Sequence, residues 1–388
     1  MQCFESLFAA RPAACQKVHR LAQSVLILDE VQALPPGLLT PIIDALRVLT
    51  ERYGTTVVLC TATQPALTAD SGLLSGFANV REIVSDPAAH FQTLRRVTYT
   101  LPAVPWSWET IAETMRDHPQ CLTVLNTRAD ALALLETLDD PDALHLSTLL
   151  CPAHRRAVLE DIRARLRENR PCRVVSTQVV EAGVDVDFPC VLRASGPLDR
   201  LVQAAGRCNR EGRLDAGEVI IFTPEEMRMP KGAYATAFAH AQQVLQCPDV
   251  DLYDPAIFPA YFRAVFGDVQ TDAAGIQALR ERLDFPAVAA AFRMIPDETV
   301  PVLVPFDEKR EDIKALVGKV RGKGHLSRTD WREAQQYSVA VRRREFQQYQ
   351  RDGLVDEILP DSGLFRWLGG YGARGLAEVA WDAADLIV

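Results

Sequence analysis

The sequence has no long apolar run, and this absence excludes one class of protein. Hydrophobic residues make up 48% of its 388 residues, yet no apolar stretch approaches the ~20 residues that a membrane span needs. The opening residues, MQCFESLFAA, lack the basic and long apolar segments of a secretion signal. We therefore expect a cytoplasmic chain with no membrane contact.

Paired cysteines are also lacking. The nine cysteines include no C-x-x-C pair, which argues against a zinc site. Their number is odd and several lie in apolar runs, so we predict buried, reduced thiols rather than disulfides. The seven histidines are scattered, and we interpret them as ordinary surface or core residues.

A surplus of positive charge is missing as well, because the formal net charge is -9. Any nucleic-acid contact would therefore need a local basic groove. The tract that contains Lys319, Arg321, Lys323, Arg328 and Arg332 could line such a path, beside Trp331. A solvated linker is the alternative interpretation of this tract.

What the chain does contain is an alternation of short apolar strands and amphipathic helices. Between residues 25 and 84 we predict strand, helix, strand, with Gly54 ending the helix. Between residues 106 and 224 the alternation is more complete and includes a helix over residues 197–210. This order predicts an α/β fold with parallel sheets. A mostly helical stretch, the basic tract and a small mixed region follow.

Two acids follow the first predicted strand, in the stretch SVLILDEVQALPP. Asp29 and Glu30 would lie at the carboxyl end of a buried strand, where α/β sheets bind ligands. Asp29 could hold Mg²⁺, and Glu30 could orient or deprotonate an attacking water. An acidic turn without function is the alternative.

The next predicted strand ends in CTATQP. Its two hydroxyls, Thr61 and Thr63, could relay the state of a bound phosphate to a neighbouring domain. A polar β-turn is the alternative.

The segment STQVVEAGVDVDF follows another buried strand. Ser176, Thr177 and Gln178 could donate hydrogen bonds to a nucleic-acid phosphate. Gly183 permits close backbone approach, and Asp185 could accept from a ribose or a water near the nucleotide. Asp187 has a weaker case, and an acidic loop is the alternative for the whole segment.

In QAAGRCNREGR, a continuous helix would place Gln203, Arg207 and Arg210 on one face. A glutamine and two arginines suit a γ-phosphate, where arginine stabilises the transferring charge. A solvated basic helix face is the alternative, against which Gly206 argues mildly because glycine disfavours a helix unless a close approach requires it.

The phosphate loop that these groups would serve is absent from the 388 residues. A G-x-x-x-x-G-K-[ST] loop should precede Asp29, but no glycine does. The Gly-Lys pairs at 318–319 and 322–323 lack both the earlier glycine and the following Ser or Thr.

The ordered segments DEVQ, TAT, STQVVEAGVDVDF and QAAGRCNR resemble motifs II, III, V and VI of superfamily 2 DExD/H-box helicases. As a unit, RASGPLDRLVQAAGRCNREG is similar to the CRISPR-associated helicase-nuclease of type I systems. The resemblance runs from about residue 24 to 223, and more loosely through QQYSV to the end.

The resemblance implies RecA-like parallel sheets sandwiched by helices, with a partial first and a complete second domain. It implies the following segments: residues 1–103 (partial first RecA-like domain), 104–224 (second RecA-like domain), 225–330 (helical and basic linker region) and 331–388 (C-terminal accessory domain).

The resemblance also implies roles, with ATP and Mg²⁺ as cofactors. Gln32 stands where the family often has histidine or aspartate, and it would couple the nucleotide to Thr61 and Thr63. The implied catalytic residues are Glu30, Gln203, Arg207 and Arg210. The implied nucleotide-site residues are Asp29 (with Mg²⁺), Gln32, Gly183 and Asp185. The implied nucleic-acid and coupling residues are Thr61, Thr63, Thr177 and Gln178.

The family unwinds DNA as an ATP-driven motor recruited to an RNA-guided CRISPR surveillance complex, in antiviral defence. The family's nuclease needs a histidine-aspartate pair, and none of the seven histidines here is followed by aspartate. We therefore expect the C-terminal part of a larger helicase, inactive alone and completed by an upstream polypeptide that carries the phosphate loop and nuclease. The alternative is a non-catalytic nucleic-acid-binding or scaffold remnant. A superfamily 2 RNA helicase is a third, less favoured option.

Overall fold

The structure is a computed structural model that describes residues 2–69, 73, 76–181, 183–248, 250–294, 299–306 and 309–380, with side chains to residue 376. Its strands are β1 (Val25–Asp29), β2 (Thr56–Cys60), β3 (Val97–Thr100), β4 (Gln120–Val124), β5 (Leu144–Leu146), β6 (Cys172–Ser176), β7 (Cys190–Ala194), β8 (Gly217–Phe222), β9 (Thr299–Leu303), β10 (Ser338–Arg342), β11 (Val355–Glu357), β12 (Phe365–Trp367), β13 (Gly369–Gly372) and β14 (Gly375–Ala380).

The α-helices alternate with these strands along most of the chain. They are α1 (Gln2–Leu7), α2 (Pro12–Cys15), α3 (Leu39–Tyr53), α4 (Pro87–Thr93), α5 (Trp108–Asp117), α6 (Arg128–Leu138), α7 (Pro152–Arg167), α8 (Leu198–Ala205), α9 (Ala233–Leu245), α10 (Ile257–Asp268), α11 (Ile276–Glu281), α12 (Phe285–Ala291), α13 (Arg310–Lys323), α14 (Arg328–Gln336) and α15 (Arg343–Arg351). Among the residues that the structure describes, each helix is too short or too polar to cross a membrane.

The chain divides into two compact units, and each draws on separate stretches of sequence. Unit 1 comprises residues 1–95, 196–202 and 230–297, and unit 2 comprises residues 96–195, 203–229 and 298–388. The units do not follow the four segments expected from the sequence, because part of the helical stretch packs with unit 1. Those four segments stay a prediction about domains.

In the described part of unit 1, β1 and β2 form a two-stranded parallel sheet that pairs Asp29 with Cys60. Helix α3 packs an apolar face that includes Ile42 and Leu46 into the core of this unit. It ends at Gly54 as predicted, since this glycine adopts φ +65° and donates its N–H to the carbonyl of Leu49.

Helices α11 and α12 complete the core of unit 1. Ile276 and Val288 are buried in it, and Phe292 stacks on Phe8 with ring centroids 4.0 Å apart. The helical stretch after residue 230 therefore supplies apolar surface to the α3 core, which local periodicity in the sequence does not reveal.

Unit 2 is built on a six-stranded sheet in the order β3-β8-β7-β4-β6-β5, and every neighbouring pair in it is parallel. Ile111 and Met115 of α5 pack with Leu134 of α6 and with strand residues in a fully buried core. The predicted strand-helix alternation is confirmed here. Strand β3, which precedes the proline-containing stretch between residues 101 and 108, joins this sheet beside β8.

The last part of unit 2 is a mixed four-stranded sheet in the order β10-β9-β12-β11, followed by the β13–β14 hairpin. Helices α13 and α14 pack on its core through Leu316, Val320 and Ala334. The basic tract thus forms two packed helices rather than a linker. Residues 381–388 of the expected accessory domain lie outside the described residues.

Candidate functional site

The acidic pair of unit 1 lies at the carboxyl end of β1, as the sequence predicts. Asp29 is the last residue of the strand, and its Oδ1 accepts the backbone N–H of Glu30 at 3.1 Å. Glu30 adopts left-handed backbone angles, with φ 51° and ψ 49°, which is uncommon for a residue other than glycine. Both side chains are exposed to solvent.

A chain of hydrogen bonds joins this acidic turn to the residues after β2. The amide of Gln32 donates to Glu30 Oε2 at 2.5 Å, and its Oε1 accepts the Thr61 hydroxyl at 2.5 Å. Thr61 Oγ1 in turn accepts the backbone N–H of Thr63 at 3.1 Å. The parallel register of β1 and β2 brings the two segments together, and the glutamine is long enough to bridge them.

In unit 2, the segment that follows β6 is held tightly to its own sheet. Thr177 is buried and donates its backbone N–H to the carbonyl of Leu146 at 3.1 Å. Gln178 donates its side-chain amide to the carbonyl of Asn126 at 2.7 Å. Gly183 adopts φ +71°, and a Cβ at this position would meet no described heavy atom within 4 Å. Its backbone angle, rather than crowding, therefore favours glycine there.

The predicted continuous helix over residues 197–210 is wrong. Helix α8 ends at Ala205, so Gln203 lies on the helix while Arg207 and Arg210 lie in the turns beyond it. The chain leaves the helix because residues 207–209 pair instead with Phe188. Phe188 donates its N–H to the carbonyl of Arg207, and its own carbonyl accepts the N–H of Asn209, both at 2.9 Å.

The two arginines of this segment have different environments. The guanidinium of Arg207 is buried and donates to the carbonyls of Val180 and Glu181, at 3.0 and 2.5 Å. Arg210 is exposed, and its Nε lies 3.0 Å from Asp185 Oδ1. A solvated helix face therefore does not describe Arg207, which ties the segment after α8 to the segment after β6.

Asp187, which had the weaker case in the sequence, organises the same turn. Its carboxylate accepts the backbone N–H groups of Arg210 at 2.6 Å and Glu211 at 3.3 Å. The carboxylate of Asp185 makes an exposed ion pair with Arg210, and such surface pairs contribute little stability. Asp187 thus shapes the loop, whereas Asp185 leaves its carboxylate largely open to solvent.

A buried polar network supports these loops, and the sequence analysis missed it. Arg193 of β7 forms an ion pair with Glu181 at 3.1 Å, and both side chains are fully buried. Arg193 also donates to Asn126 Oδ1 at 2.8 Å, and Asn126 donates to the carbonyl of Ser195 at 2.7 Å. Removing one partner of a buried ion pair typically costs about 3–5 kcal/mol, because the other charge is then left buried without a counter-charge.

Two signals in the sequence could have pointed to this network. Arg193 is a lone charge inside the apolar strand CVLRA, and Asn126 comes two residues after the end of the strand QCLTV. A charge inside a buried strand requires a partner, but the partner Glu181 cannot be identified without the fold.

Another buried acid lies nearby, at the start of α6. Asp130 is almost fully buried, and burial raises its pKa even though Thr127 and Arg228 stabilise the charged form. Arg228 Nη1 lies 3.3 Å from Asp130 Oδ1.

The basic tract is largely neutralised by acids of its own unit. Lys319 and Lys323 lie 2.7 and 3.3 Å from the carboxylate of Asp330, and Arg321 lies 3.5 Å from Asp356. The Lys319 ammonium, with Ser327, holds the pKa of Asp330 far below its usual range. A continuous basic path along this tract is therefore weaker than the residue types suggest.

Parallel sheets with flanking helices, with the motif residues following the strands, define a RecA-like α/β fold, which confirms the predicted fold class. Residues 117–213 match the family model described as CRISPR-associated nuclease/helicase Cas3, C-terminal. This match covers four of the six strands of that sheet, β4 to β7, and ends in the turns after α8.

Two curated relatives carry the same description. The chain is 26% identical over 317 residues to CRISPR-associated nuclease/helicase Cas3 of Haloferax volcanii, covering 58% of this chain and 34% of that protein. It is 27% identical over 219 residues to the protein of that name from Methanothermobacter thermautotrophicus, covering 52% of this chain and 26% of that protein. The chain thus spans about a third or less of these relatives.

Solved structures show the same fold over nearly the whole chain. The structure of T. fusca Cas3 with AMPPNP has a TM-score of 0.62 and 17% identity, covering 93% of this chain and 53% of that one. A chain of a CRISPR RNA-guided surveillance complex before nicking has a TM-score of 0.56 and 18% identity, covering 93% of this chain and 55% of that one. At these identities the likeness concerns the fold.

Proposed function

We propose that this chain is the C-terminal helicase part of a type I CRISPR helicase-nuclease, and that it takes part in ATP-driven DNA unwinding or translocation in antiviral defence. The hydrogen-bond chain from Glu30 through Gln32 to Thr61 carries the proposal. It links a candidate catalytic carboxylate to the segment after the neighbouring strand, which is the connection that a nucleotide-driven motor requires. The matches to Cas3 proteins and to a Cas3 structure with a bound ATP analogue support it.

The donor set of unit 1 fits magnesium. The exposed Asp29 carboxylate is a hard oxygen ligand at a strand end, and Mg²⁺ binds such carboxylates together with phosphates and water. Bound Mg²⁺ would supply neutralisation of phosphate charge at Asp29, and Glu30 would orient and deprotonate the attacking water. Gln203, Arg207 and Arg210 are the proposed γ-phosphate residues, and Arg207 would have to exchange its bonds to the carbonyls of Val180 and Glu181 for the phosphate. Gly183 and Asp185 are the proposed nucleotide contacts.

The 388 residues do not supply a phosphate cradle, so we propose that another polypeptide segment does. Parallel sheets are usually covered on both faces, but β1 exposes Val25 and Ile27 by 65% and 64%. A segment carrying G-x-x-x-x-G-K-[ST] could cover this sheet and hold the phosphates. Further partners in this proposal are single-stranded DNA, touched by Thr177 and Gln178, and an RNA-guided surveillance complex in the cytoplasm.

The test compares ATP hydrolysis by the purified chain with hydrolysis by the chain co-expressed with a polypeptide that carries the phosphate loop. With Mg²⁺ and single-stranded DNA, we expect no hydrolysis by the chain alone and clear hydrolysis by the pair. Glu30→Gln should lower the rate of the pair by roughly 10²–10⁴-fold, as loss of a general base does. Glu82→Gln, an exposed glutamate of unit 1, is the matched control and should leave the rate unchanged.

A second candidate is a non-catalytic nucleic-acid-binding or scaffold remnant, favoured by the absence of the phosphate loop from the sequence. Stable assembly with the second polypeptide and DNA binding, without ATP hydrolysis, would support this candidate and contradict the first. Hydrolysis by the chain alone would contradict the requirement for a second polypeptide.

A further inference from the structure

A second group of chemically active side chains lies near the amino ends of the strands in unit 2, whereas the motif segments follow the carboxyl ends. The register pairs Cys121 of β4 with Cys190 of β7, and Cys190 with Glu218 of β8. Residues paired in register on neighbouring parallel strands project to the same face of a sheet. His118, directly after α5 and just before β4, lies beside them.

One ring nitrogen of the histidine is held as a donor, as it is in many metal-binding histidines. His118 Nδ1 lies 2.8 Å from the carbonyl oxygen of Thr114, which can only accept a hydrogen bond, so Nδ1 carries a hydrogen. Nε2 lies 3.2 Å from Glu218 Oε2, which also only accepts, so in the metal-free chain Nε2 donates to that carboxylate, and a bound metal ion would replace this proton. Metal-binding histidines commonly donate their other ring N–H to a carbonyl in this way.

The two cysteines differ in their acidity. Cys121 Sγ donates to Cys190 Sγ at 3.9 Å, and this bond, with the nearby His118, lowers the pKa of Cys190 against the effect of burial. Burial keeps the pKa of Cys121 well above its usual value, so Cys121 stays a thiol donor. Cys121 is therefore the hydrogen-bond donor of the pair, and Cys190 Sγ is the acceptor.

Cys208 is close to the same strands but has a different role. Its thiol lies 3.4 Å from the carbonyl of Pro189 and 3.3 Å from that of Glu218, and it donates to these backbone oxygens. Burial raises its pKa to about 12, so it does not offer a thiolate.

We propose that His118 Nε2, Cys190 Sγ and the carboxylate of Glu218 bind one divalent transition-metal ion of the zinc class. The three ligand atoms lie within 4.8 Å of one another. Ligands bound at about 2.0–2.3 Å in a tetrahedron lie about 3.3–3.8 Å apart, so small side-chain movements close the site. Binding would displace the proton of the Cys190 thiol and the Nε2 proton of His118, while Nδ1 keeps its hydrogen.

The fourth position of this site would be filled by water. The side chains of His118 and Glu218 are 29% and 46% exposed, so solvent reaches the ligand atoms from one side. The ion would join the end of α5 to β7 and β8. The site has no signature in the sequence, because its ligands come from three separate segments of the chain, at positions 118, 190 and 218.

The test uses cobalt as a spectroscopic substitute for zinc. The full chain, purified under reducing conditions without a polyhistidine tag, is titrated with Co²⁺. We expect one equivalent to produce a thiolate-to-cobalt charge-transfer band and the visible bands of a tetrahedral ion, and Zn²⁺ to bleach both. Cys190→Ser should abolish the charge-transfer band. Cys247→Ser, an exposed cysteine outside the set, is the control and should keep it.

Two further variants separate the ligands from their surroundings. Glu218→Gln and His118→Gln should weaken cobalt binding by about tenfold or more, since even supporting groups of a metal site have effects of that size. Cys121→Ser should keep the charge-transfer band. Glu218 is partly exposed, so its variant should fold even if the buried Cys190 variant does not.

Several results would overturn the proposal. The folded chain could show no charge-transfer band, or the band could survive Cys190→Ser. The affinity for cobalt could also be unchanged in Glu218→Gln. Loss of two hydrogens on mild oxidation, mapped by digestion to the peptides that hold Cys121 and Cys190 and found without cobalt binding, would assign these cysteines to a disulfide instead. If His118 and Glu218 form only an ion pair, the Co²⁺ titration will show no thiolate band. This result would also contradict the proposal.

Discussion

At the scale of single residues, the chemistry of this chain depends on where each side chain is buried. Arg207 and Arg210 are three positions apart, yet one is enclosed by the carbonyls of Val180 and Glu181 and the other faces solvent. The same residue type therefore holds a loop together at position 207 and faces solvent, where a ligand could reach it, at position 210. Residue type in the sequence does not separate these two roles.

His145 provides a prediction at this scale. Burial lowers its pKa to about 4, although its hydrogen bond with the carbonyl of Arg374 opposes the effect. The pKa of an unfolded histidine is about 6.5, so between these values the unfolded chain takes up a proton that the folded chain does not. Unit 2 should therefore lose stability as the pH falls from about 6.5 to about 4, by about 3 kcal/mol from this residue.

The measurement is urea unfolding of unit 2 across that pH range. His145→Gln should make the free energy of unfolding less dependent on pH. The same substitution at the exposed His325 should leave the pH dependence unchanged. An equal slope in the native chain and in His145→Gln would show that His145 is not the group responsible.

At the scale of elements, the two-stranded sheet of unit 1 has an uncovered face. Val25 and Ile27 alternate with half-buried residues along β1, which is the pattern of a strand packed on one side only. A parallel strand with exposed β-branched residues favours association with another chain.

We predict that Val25→Thr with Ile27→Thr reduces aggregation of the isolated chain, since threonine keeps the β-branched shape and removes apolar surface. Light scattering during concentration measures the effect. The control is Ile83→Thr with Val84→Thr, which removes similar exposed surface of unit 1 outside its strands.

A monodisperse, cooperatively melting native chain would contradict the predicted tendency to aggregate. If both pairs of variants reduce aggregation equally, the cause of aggregation is general surface hydrophobicity rather than the exposed face of β1. In the proposed motor, the same β1 variants should weaken assembly with the polypeptide that supplies the phosphate loop.

At the scale of the whole molecule, the chain folds as two compact units with separate cores. Leu46 is fully buried in the core of unit 1, and Leu122 is fully buried in unit 2. Because each unit includes stretches from distant parts of the sequence, neither corresponds to a single continuous piece of the chain.

We predict that core truncations act on their own units. Leu46→Ala and Leu122→Ala should each cost about 2–5 kcal/mol, as large-to-small core substitutions do. In calorimetry, Leu46→Ala should lower the midpoint temperature of one unfolding transition, and Leu122→Ala should lower that of the other. A single transition that both variants lower equally would mean that the two units unfold as one.

The sequence by itself determined the strand-helix alternation of β1–β2 and of β4 to β8, the parallel α/β class and the stop of α3 at Gly54, because these depend on local periodicity and on backbone preferences of single residues. It also predicted the acids at the end of β1. It did not predict β3 or β9. The roles of the site residues remain predictions, because the structure places these residues without testing what they do.

Only the tertiary structure decided the contacts between distant positions. Helix α8 stops at Ala205 because residues 207–209 pair with Phe188, and Arg193 finds Glu181 and Asn126 across neighbouring strands. The packing of α11 and α12 on unit 1 has the same origin. Strand register and long-range packing bring these groups together, and the local sequence pattern does not specify either of them.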